Sequence, residues 1–254
     1  MHKTWRTLML LQTKVREALE KPLHEIDSNL LIELYREVFF LSLDRSCPSC
    51  VMKAYHELKE WLSTKESTTV GINLITCEYV PADENRRHEI EFCLRRNRES
   101  GYFKNVITVN HKPTFSELFE ITRANPDDIN IISNTDIFFD NTINEVKNIT
   151  SREAWALTRW NYLGDNRAEF FNRHDSQDVW IFNGAVRKET DGKYGMGVAG
   201  CDNRLAFELK KAGYLVRNPS LSIRAYHYHL SEVRTFDWND KVPEPYLFLP
   251  PQTL

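Results

Sequence analysis

The chain has 254 residues, 41% of them hydrophobic, which is enough for one large domain or one domain with a small attachment. Its 33 Lys and Arg residues are nearly matched by 36 Asp and Glu residues, and the net charge of −3 excludes a global field that attracts nucleic acid. No apolar run reaches the roughly 18 residues of a membrane span, and the apolar stretch near the start has no signal-peptide cleavage site. Five cysteines, an odd number, favour a reducing compartment, so we expect a cytoplasmic protein.

The first part of the chain has the spacing of helices throughout. Apolar residues recur at helical intervals over about 29–43 and 48–62, and a weaker helical pattern covers 9–20. The polar segment 63–69 lacks large apolar groups and is predicted to be a linker. We therefore predict an N-terminal helical module at residues 1–66 and a second domain at residues 70–254.

Two cysteines near the start of the third predicted helix have the spacing of a zinc-binding pair. No second Cys or His pair follows Cys47 and Cys50 closely, and His24 and His56 are the plausible local additions. Two thiols one helical turn apart are also typical of packing or of positions at a helix N-terminus. Both interpretations stay open.

From residue 70 onward, strand and helix patterns alternate. Apolar, β-favouring runs at 70–80, 106–110 and 129–133 are separated by a charged helix at 84–99 and by a helix that begins with the capping-box pair Thr114 and Glu117. Further predicted strands cover 154–160, 179–184, 214–218 and 221–229, and a helix covers about 203–212. This alternation predicts an α/β fold with a mostly parallel central sheet flanked by helices.

The segment 131–140, IISNTDIFFD, carries the first candidate site. Its buried strand runs directly into Asn134 and Asp136, and ligands of open α/β sheets bind beyond the carboxyl ends of strands. Asp136, with Asn134 two residues before it, could hold Mg²⁺ or Mn²⁺ beside a diphosphate, because such hard cations prefer oxygen ligands. The alternative is a turn in which Asp136 only bonds nearby backbone.

Two later features add polar groups. Asp202 follows three closely spaced glycines at the start of a helix, where it could cap the helix or act as general base toward an acceptor hydroxyl. His227 and His229 lie two apart in a predicted strand, so they point to one face and could complete a metal site, or they could be two exposed polar positions.

A third group of residues could contact the ligand itself. Asp178 and Trp180 stand at the start of a strand, where the ring could face a sugar or a base, or belong to the core. Arg86 and Arg87 lie early in the first helix after residue 70, where they could contact phosphate or form a solvated face.

Taken in order, these segments over about residues 70–234 resemble the GT-A glycosyltransferases, of a bacterial or phage type. In that family a D-x-D motif after an interior strand binds metal and diphosphate, and here N-T-D, with Asn134 in the first position, stands in its place. The resemblance implies Asp136 as a metal ligand, Asp202 as the acceptor base and His227 or His229 as the last ligand. It also implies Mn²⁺ or Mg²⁺, a nucleotide-sugar donor with uridine diphosphate as carrier, and hexosyl or pentosyl transfer.

The acceptor is left open by the sequence. A glycan, a protein, a small molecule or a hydroxymethylated DNA base would each fit, the last in the host cytoplasm if the protein is encoded by a phage. Two alternatives remain: a non-catalytic carbohydrate- or nucleic-acid-binding module on a degenerate transferase fold, and a nucleotidyltransferase. The second usually has a Gly-rich loop after the first strand, which TCEYVPADENRR lacks.

Overall fold

The structure is a computed structural model that describes residues 5–39, 41–66, 70–231, 233 and 238–254. The chain divides into two compact units, Met1–Thr69 and Val70–Leu254. This division falls at the end of the polar segment predicted to be a linker. Among the described residues, no helix combines the length and the apolar character that crossing a membrane requires.

The N-terminal unit is helical, as its sequence pattern predicts. It contains α1 (Trp5–Leu19), α2 (Ser28–Phe39) and α3 (Pro48–Glu66). Their apolar stripes meet in one core, which includes the buried side chains of Val15, Leu31 and Leu58. Helix α3 continues to Glu66, so residues 63–66 are helical rather than a linker because nothing in that polar stretch ends the helix. Residues 67–69 of the predicted linker lie outside the described residues.

The second unit alternates strands and helices. Its strands are β1 (Ile72–Cys77), β2 (Asn105–Val109), β3 (Ile129–Ser133), β4 (Ile137–Phe139), β5 (Glu153–Leu157), β6 (Trp160–Gly164), β7 (Arg167–Phe170), β8 (Val179–Asn183), β9 (Leu215–Arg217) and β10 (Ala225–His227). Its α-helices are α4 (Glu84–Glu99), α5 (Phe115–Arg123) and α6 (Cys201–Lys211), and a 3-10 helix covers Asn141–Asn148. The predicted capping box at the start of α5 is confirmed, since Thr114 and Glu117 bond each other's backbone N–H groups.

Six strands form the main sheet in the order β2-β1-β3-β8-β5-β9. Strand β1 pairs in parallel with β2 and β3, and β5 pairs in parallel with β9. Strand β8 is antiparallel to both of its neighbours, β3 and β5. The α/β class is therefore confirmed, but the sheet is mixed, and a mostly parallel sheet is not confirmed. The apolar pattern of β8 predicts a buried strand and contains no information on its direction.

A second sheet of four short strands, in the order β4-β10-β6-β7, was not predicted. Two of its strands differ from the predicted ones: the run 154–160 stops at Leu157 and β6 begins at its last residue, Trp160, and the run 221–229 is a strand only at Ala225–His227. Strand β4 follows β3 after three residues, so the chain passes directly from the main sheet into the small one.

The two faces of the main sheet have different coverings. Alternate side chains of its strands belong to two different hydrophobic cores, because successive side chains of a strand point to opposite faces. One core contains Phe115 of α5 and Leu205 of α6, so helices cover that face. The other contains Ile137 and Ala225, so the small sheet covers the opposite face. The segment between β3 and β4 lies where the two sheets meet, and it carries Asp136.

Candidate metal centre and cleft

Asp136 is held at the end of β3 by its neighbours. The hydroxyl of Thr135 donates a hydrogen bond of 2.5 Å to the carbonyl of Cys77, at the end of the adjacent strand β1. The carbonyl of Asp136 accepts a hydrogen bond of 2.9 Å from the N–H of Tyr228, just beyond β10. The carboxylate is buried, with the residue 5% exposed. Strands of both sheets therefore fix the position of this one side chain.

Two imidazoles face the Asp136 carboxylate. Nε2 of His227 lies 3.0 Å from its Oδ2, and Nδ1 of His229 lies 3.9 Å from the same oxygen. One potential ligand atom from each of the three residues lies within 4.8 Å of the other two. Strand β10 ends at His227, so the two histidines do not share a strand as predicted. The antiparallel pairing of β10 with β4 nevertheless brings both side chains to Asp136.

Arg86 is the fourth group at this carboxylate. Its Nη2 donates to Oδ2 of Asp136 at 2.5 Å, and its Nη1 donates to Glu89 at 3.0 Å. Arg86 and Glu89 are both buried although they belong to a strongly charged helix. Burial opposes ionisation of Asp136, but the charges of His227 and Arg86 outweigh burial and keep the pKa of Asp136 below its ordinary value.

Glu89 connects this cluster to the chain after His229. Its two carboxylate oxygens accept hydrogen bonds from the backbone N–H groups of Leu230 and Ser231, each at 2.6 Å, and from the Ser231 hydroxyl at 2.9 Å. Glu89 was not predicted as a site residue, because acids and bases are mixed along α4 and nothing in the sequence distinguishes this one. Arg87, predicted to contact phosphate, points elsewhere: it is exposed and pairs with Glu84. It does not border the cleft described below.

Asn134 and Asp178 bond each other beside this cluster. The side-chain amide of Asn134 donates to Asp178 at 2.7 Å, and the Arg159 guanidinium lies 3.2 Å from the other carboxylate oxygen. Asn134, the first residue of N-T-D, is thus engaged with Asp178. Arg159 was not singled out from the sequence, where it sits inside an apolar run. Trp180 is 1% exposed, and its ring packs edge to face against Phe115, as a core side chain does.

Asp202 lies in the first turn of α6 but does not cap it. The residue before the helix is Gly200, whose φ of +78° is left-handed, and a Cβ there would lie 2.8 Å from the Tyr246 hydroxyl. The Asp202 carboxylate accepts the backbone N–H groups of Asn203 at 2.9 Å and Gln177 at 3.2 Å. Burial, and next the charge of Asp178, raise the pKa of Asp202 to about 6.

One cleft of about 710 Å³ joins these groups. Asp136, His227, His229 and Arg86 border it, and Asp202 and Asp178 border it as well. Among the residues that the structure describes, four further cationic side chains line it: Lys112, Arg159, Arg173 and Lys241. Aromatic rings stand beside two of these cations, since Lys112 lies 5.1 Å from the ring centre of Tyr79 and Arg159 lies 4.1 Å from that of Phe171.

A cleft of this volume is the size of a typical small-molecule site. Comparison of the chain with family models, with curated proteins and with solved structures finds no match. The chemistry of the cleft must therefore be inferred from its own residues. Its polar groups form two centres, the acidic and imidazole cluster around Asp136 and the carboxylate of Asp202.

Proposed function

We propose that this protein is a metal-dependent glycosyltransferase of GT-A type, which transfers a hexosyl or pentosyl group from a nucleotide sugar to an acceptor hydroxyl. The observation that carries this function is the shared cleft: a metal-binding set at Asp136 and a carboxylate of raised pKa at Asp202 border the same cavity. Glycosyl transfer to a hydroxyl needs both, one to stabilise the departing diphosphate and one to remove the acceptor proton.

The donor set at Asp136 fits a divalent transition ion. The carboxylate suits both Mn²⁺ and Mg²⁺, but imidazole ligands are typical of transition ions, whereas Mg²⁺ prefers a near-ideal octahedral set of oxygens. Of the two ions that the sequence implies, we therefore favour Mn²⁺. Asp136, His227 and His229 would hold it, and the ion would supply positive charge to the departing diphosphate. Arg86 keeps Asp136 ionised, the form that a metal ion requires, and the two imidazoles would bind the ion in their neutral form.

Cationic side chains in the cleft can bind the phosphates directly. Lys112 and Arg159 border it, and charged donors of this kind form strong hydrogen bonds to phosphate oxygens. The Arg159 guanidinium is already oriented by Asp178, so less side-chain freedom is lost when it binds a ligand. These groups favour a dianionic donor such as a uridine diphosphate sugar.

Asp202 can act on the acceptor. Two backbone N–H groups fix the orientation of its carboxylate, and a pKa of about 6 makes it a stronger base than an ordinary aspartate while it is still ionised at neutral pH. It would accept the proton of the acceptor hydroxyl as that oxygen attacks the anomeric carbon. The bound acceptor could be a glycan, a protein, a small molecule or a modified DNA base.

A panel of nucleotide sugars tests this function. With Mn²⁺ present, we expect one donor to bind and to be hydrolysed slowly, and Asp136→Ala should abolish both reactions because it removes the only carboxylate of the metal set. Asp127→Ala is the matched control, since Asp127 is exposed and does not border the cleft. Equal Mn²⁺-dependent donor binding by Asp136→Ala and the parent would refute the function. Metal-dependent binding with no turnover of any donor would instead indicate the non-catalytic binding module.

A further inference from the structure

The N-terminal unit contains a pair of thiols outside the cleft. Cys47 directly precedes Pro48, the first residue of α3, and Cys50 lies in the first turn of that helix. The carbonyl of Cys47 accepts the backbone N–H groups of Cys50 at 3.0 Å and Val51 at 3.1 Å, so the helix begins at this point. Both cysteines are free thiols and partly exposed. Small reagents can therefore reach both sulfur atoms.

The surroundings of the two thiols differ. Sγ of Cys47 lies 3.0 Å from the Ser49 hydroxyl. Hydrogen bonds from that hydroxyl, from the Cys50 thiol and from backbone N–H groups at the helix start lower the pKa of Cys47. The hydrogen bond to Cys47, and next the loss of solvent around the thiol, raise the pKa of Cys50. At a given pH, a larger fraction of Cys47 than of Cys50 is therefore thiolate, the nucleophilic form.

We propose that Cys47 and Cys50 form a dithiol centre that exchanges with external disulfides. This centre is independent of the function proposed for the cleft. Two features of the geometry support it: the thiols lie one helical turn apart and are both partly exposed, and the first of them lies at a helix N-terminus with its Sγ 3.0 Å from the Ser49 hydroxyl. The reaction partner is a small or protein disulfide, of which glutathione disulfide is the simplest probe.

The reaction proceeds in two exchange steps. The Cys47 thiolate attacks one sulfur of the external disulfide, which breaks the S–S bond, forms a mixed disulfide on Cys47 and releases the first thiolate. Cys50 then loses its proton and attacks Sγ of Cys47, which forms the Cys47–Cys50 disulfide and releases the second thiolate. The two cysteines are oxidised by two electrons, and the external disulfide is reduced to two thiols. An external dithiol reverses the reaction.

A structural zinc site is the alternative for such a pair, and it needs four ligands. Among the described residues, the group of three or more potential ligands is the one at Asp136, and neither Cys47 nor Cys50 belongs to it. The other three cysteines, Cys77, Cys93 and Cys201, provide an internal comparison. They are buried, and burial raises the pKa of each thiol. They should stay reduced under conditions that oxidise the exposed pair.

The test uses the full chain, glutathione disulfide and intact-mass spectrometry after alkylation. The parent should lose two thiols together and carry no glutathione. Cys50→Ser should trap one glutathione on Cys47, and Cys47→Ser should trap at least about tenfold less in the same time. The double variant Cys47→Ser/Cys50→Ser is the matched control and should keep all its thiols. Circular dichroism of each variant checks that α3 still forms.

A second measurement uses only the parent chain, in case a variant does not fold. Brief alkylation at neutral pH followed by peptide mapping should modify Cys47 at least about tenfold faster than Cys50. Stable glutathione adducts on the parent, equal trapping by the two single variants, or equal alkylation rates would each overturn the dithiol centre. One tightly bound zinc ion per chain that protects both thiols from glutathione disulfide would overturn it as well.

Discussion

Replacing Asp202 by Asn separates two effects of this carboxylate. One is the free energy that its buried charge costs the folded state, and the other is its proposed role in the transfer reaction. The pKa of Asp202 is raised from an ordinary value of 3.8 to about 6, mainly because of burial. A shift of about two units corresponds to about 3 kcal/mol between the protonated and ionised forms. Because the folded protein binds this proton more tightly than the unfolded chain does, the ionised carboxylate destabilises the folded state at neutral pH. The amide of the Asp202→Asn variant carries no charge and avoids that cost.

The pH dependence has a definite sign. The stability contributed by protonated Asp202 is fully present below pH 3.8 and is lost as pH rises to about 6. Between pH 4 and pH 7 the free energy of unfolding of Asp202→Asn should therefore rise by about 2 kcal/mol relative to that of the parent. The fixed cost of the altered hydrogen bond to Gln177 is the same at both pH values and cancels in this comparison.

Urea unfolding of parent and variant at the two pH values measures this difference. Transfer by the variant at pH 7 should be about 10²–10⁴-fold slower if Asp202 is the general base, with donor binding nearly unchanged. The parent's kcat/KM should also fall as the pH drops below about 6. A stability difference that does not change with pH would contradict the raised pKa of Asp202. Equal turnover by the two proteins would leave Asp202 with a structural role only.

Further predictions concern the rest of the molecule. Glu89→Gln removes the charge that pairs with buried Arg86, so the free energy of unfolding should fall by about 2–4 kcal/mol and Mn²⁺ should bind more weakly. Urea unfolding and Mn²⁺ titration measure the two effects, and unchanged values in both would show that Glu89 is dispensable. Residues 68–254 alone should bind the donor nucleotide as the full chain does, and loss of binding by a folded truncated chain would assign part of the donor site to the N-terminal unit. Thr114→Ala removes a helix cap that does not border the cleft, so the free energy of unfolding should fall by about 1 kcal/mol while Mn²⁺ affinity stays the same. Weaker Mn²⁺ binding by this variant would show that the start of α5 supports the metal site.

Local patterns in the sequence predicted the elements that depend on neighbouring residues. The capping box of Thr114 and Glu117 involves residues three apart, and both partners are visible in the sequence. The burial of β3 follows from its apolar run, and the position of Asp136 at the strand's end follows from chain order. His227 and His229 were predicted to share a strand face, and they reach Asp136 although the strand ends at the first of them.

Features that depend on distant residues could not be predicted in this way. The small sheet pairs β4 with β10, which are three residues each and nearly ninety residues apart, so neither has a recognisable strand pattern. The burial of Arg86 depends on Asp136, fifty residues away, and from sequence alone Arg86 and Arg87 look equivalent. Tertiary contacts place one of them in the cleft and leave the other in solvent.

The hydrogen bonds from Leu230 and Ser231 to Glu89 have a consequence for the order of folding. They join residues 141 and 142 positions apart, and closing so long a loop costs chain entropy before the contacts that offset this cost can form. On the ribosome, the histidines cannot reach Asp136 until the chain has been synthesised to about residue 231. The main sheet through β8 can form earlier, with Asp136 and Arg86 already paired. Metal affinity should therefore appear late, as one of the last properties that the growing chain acquires.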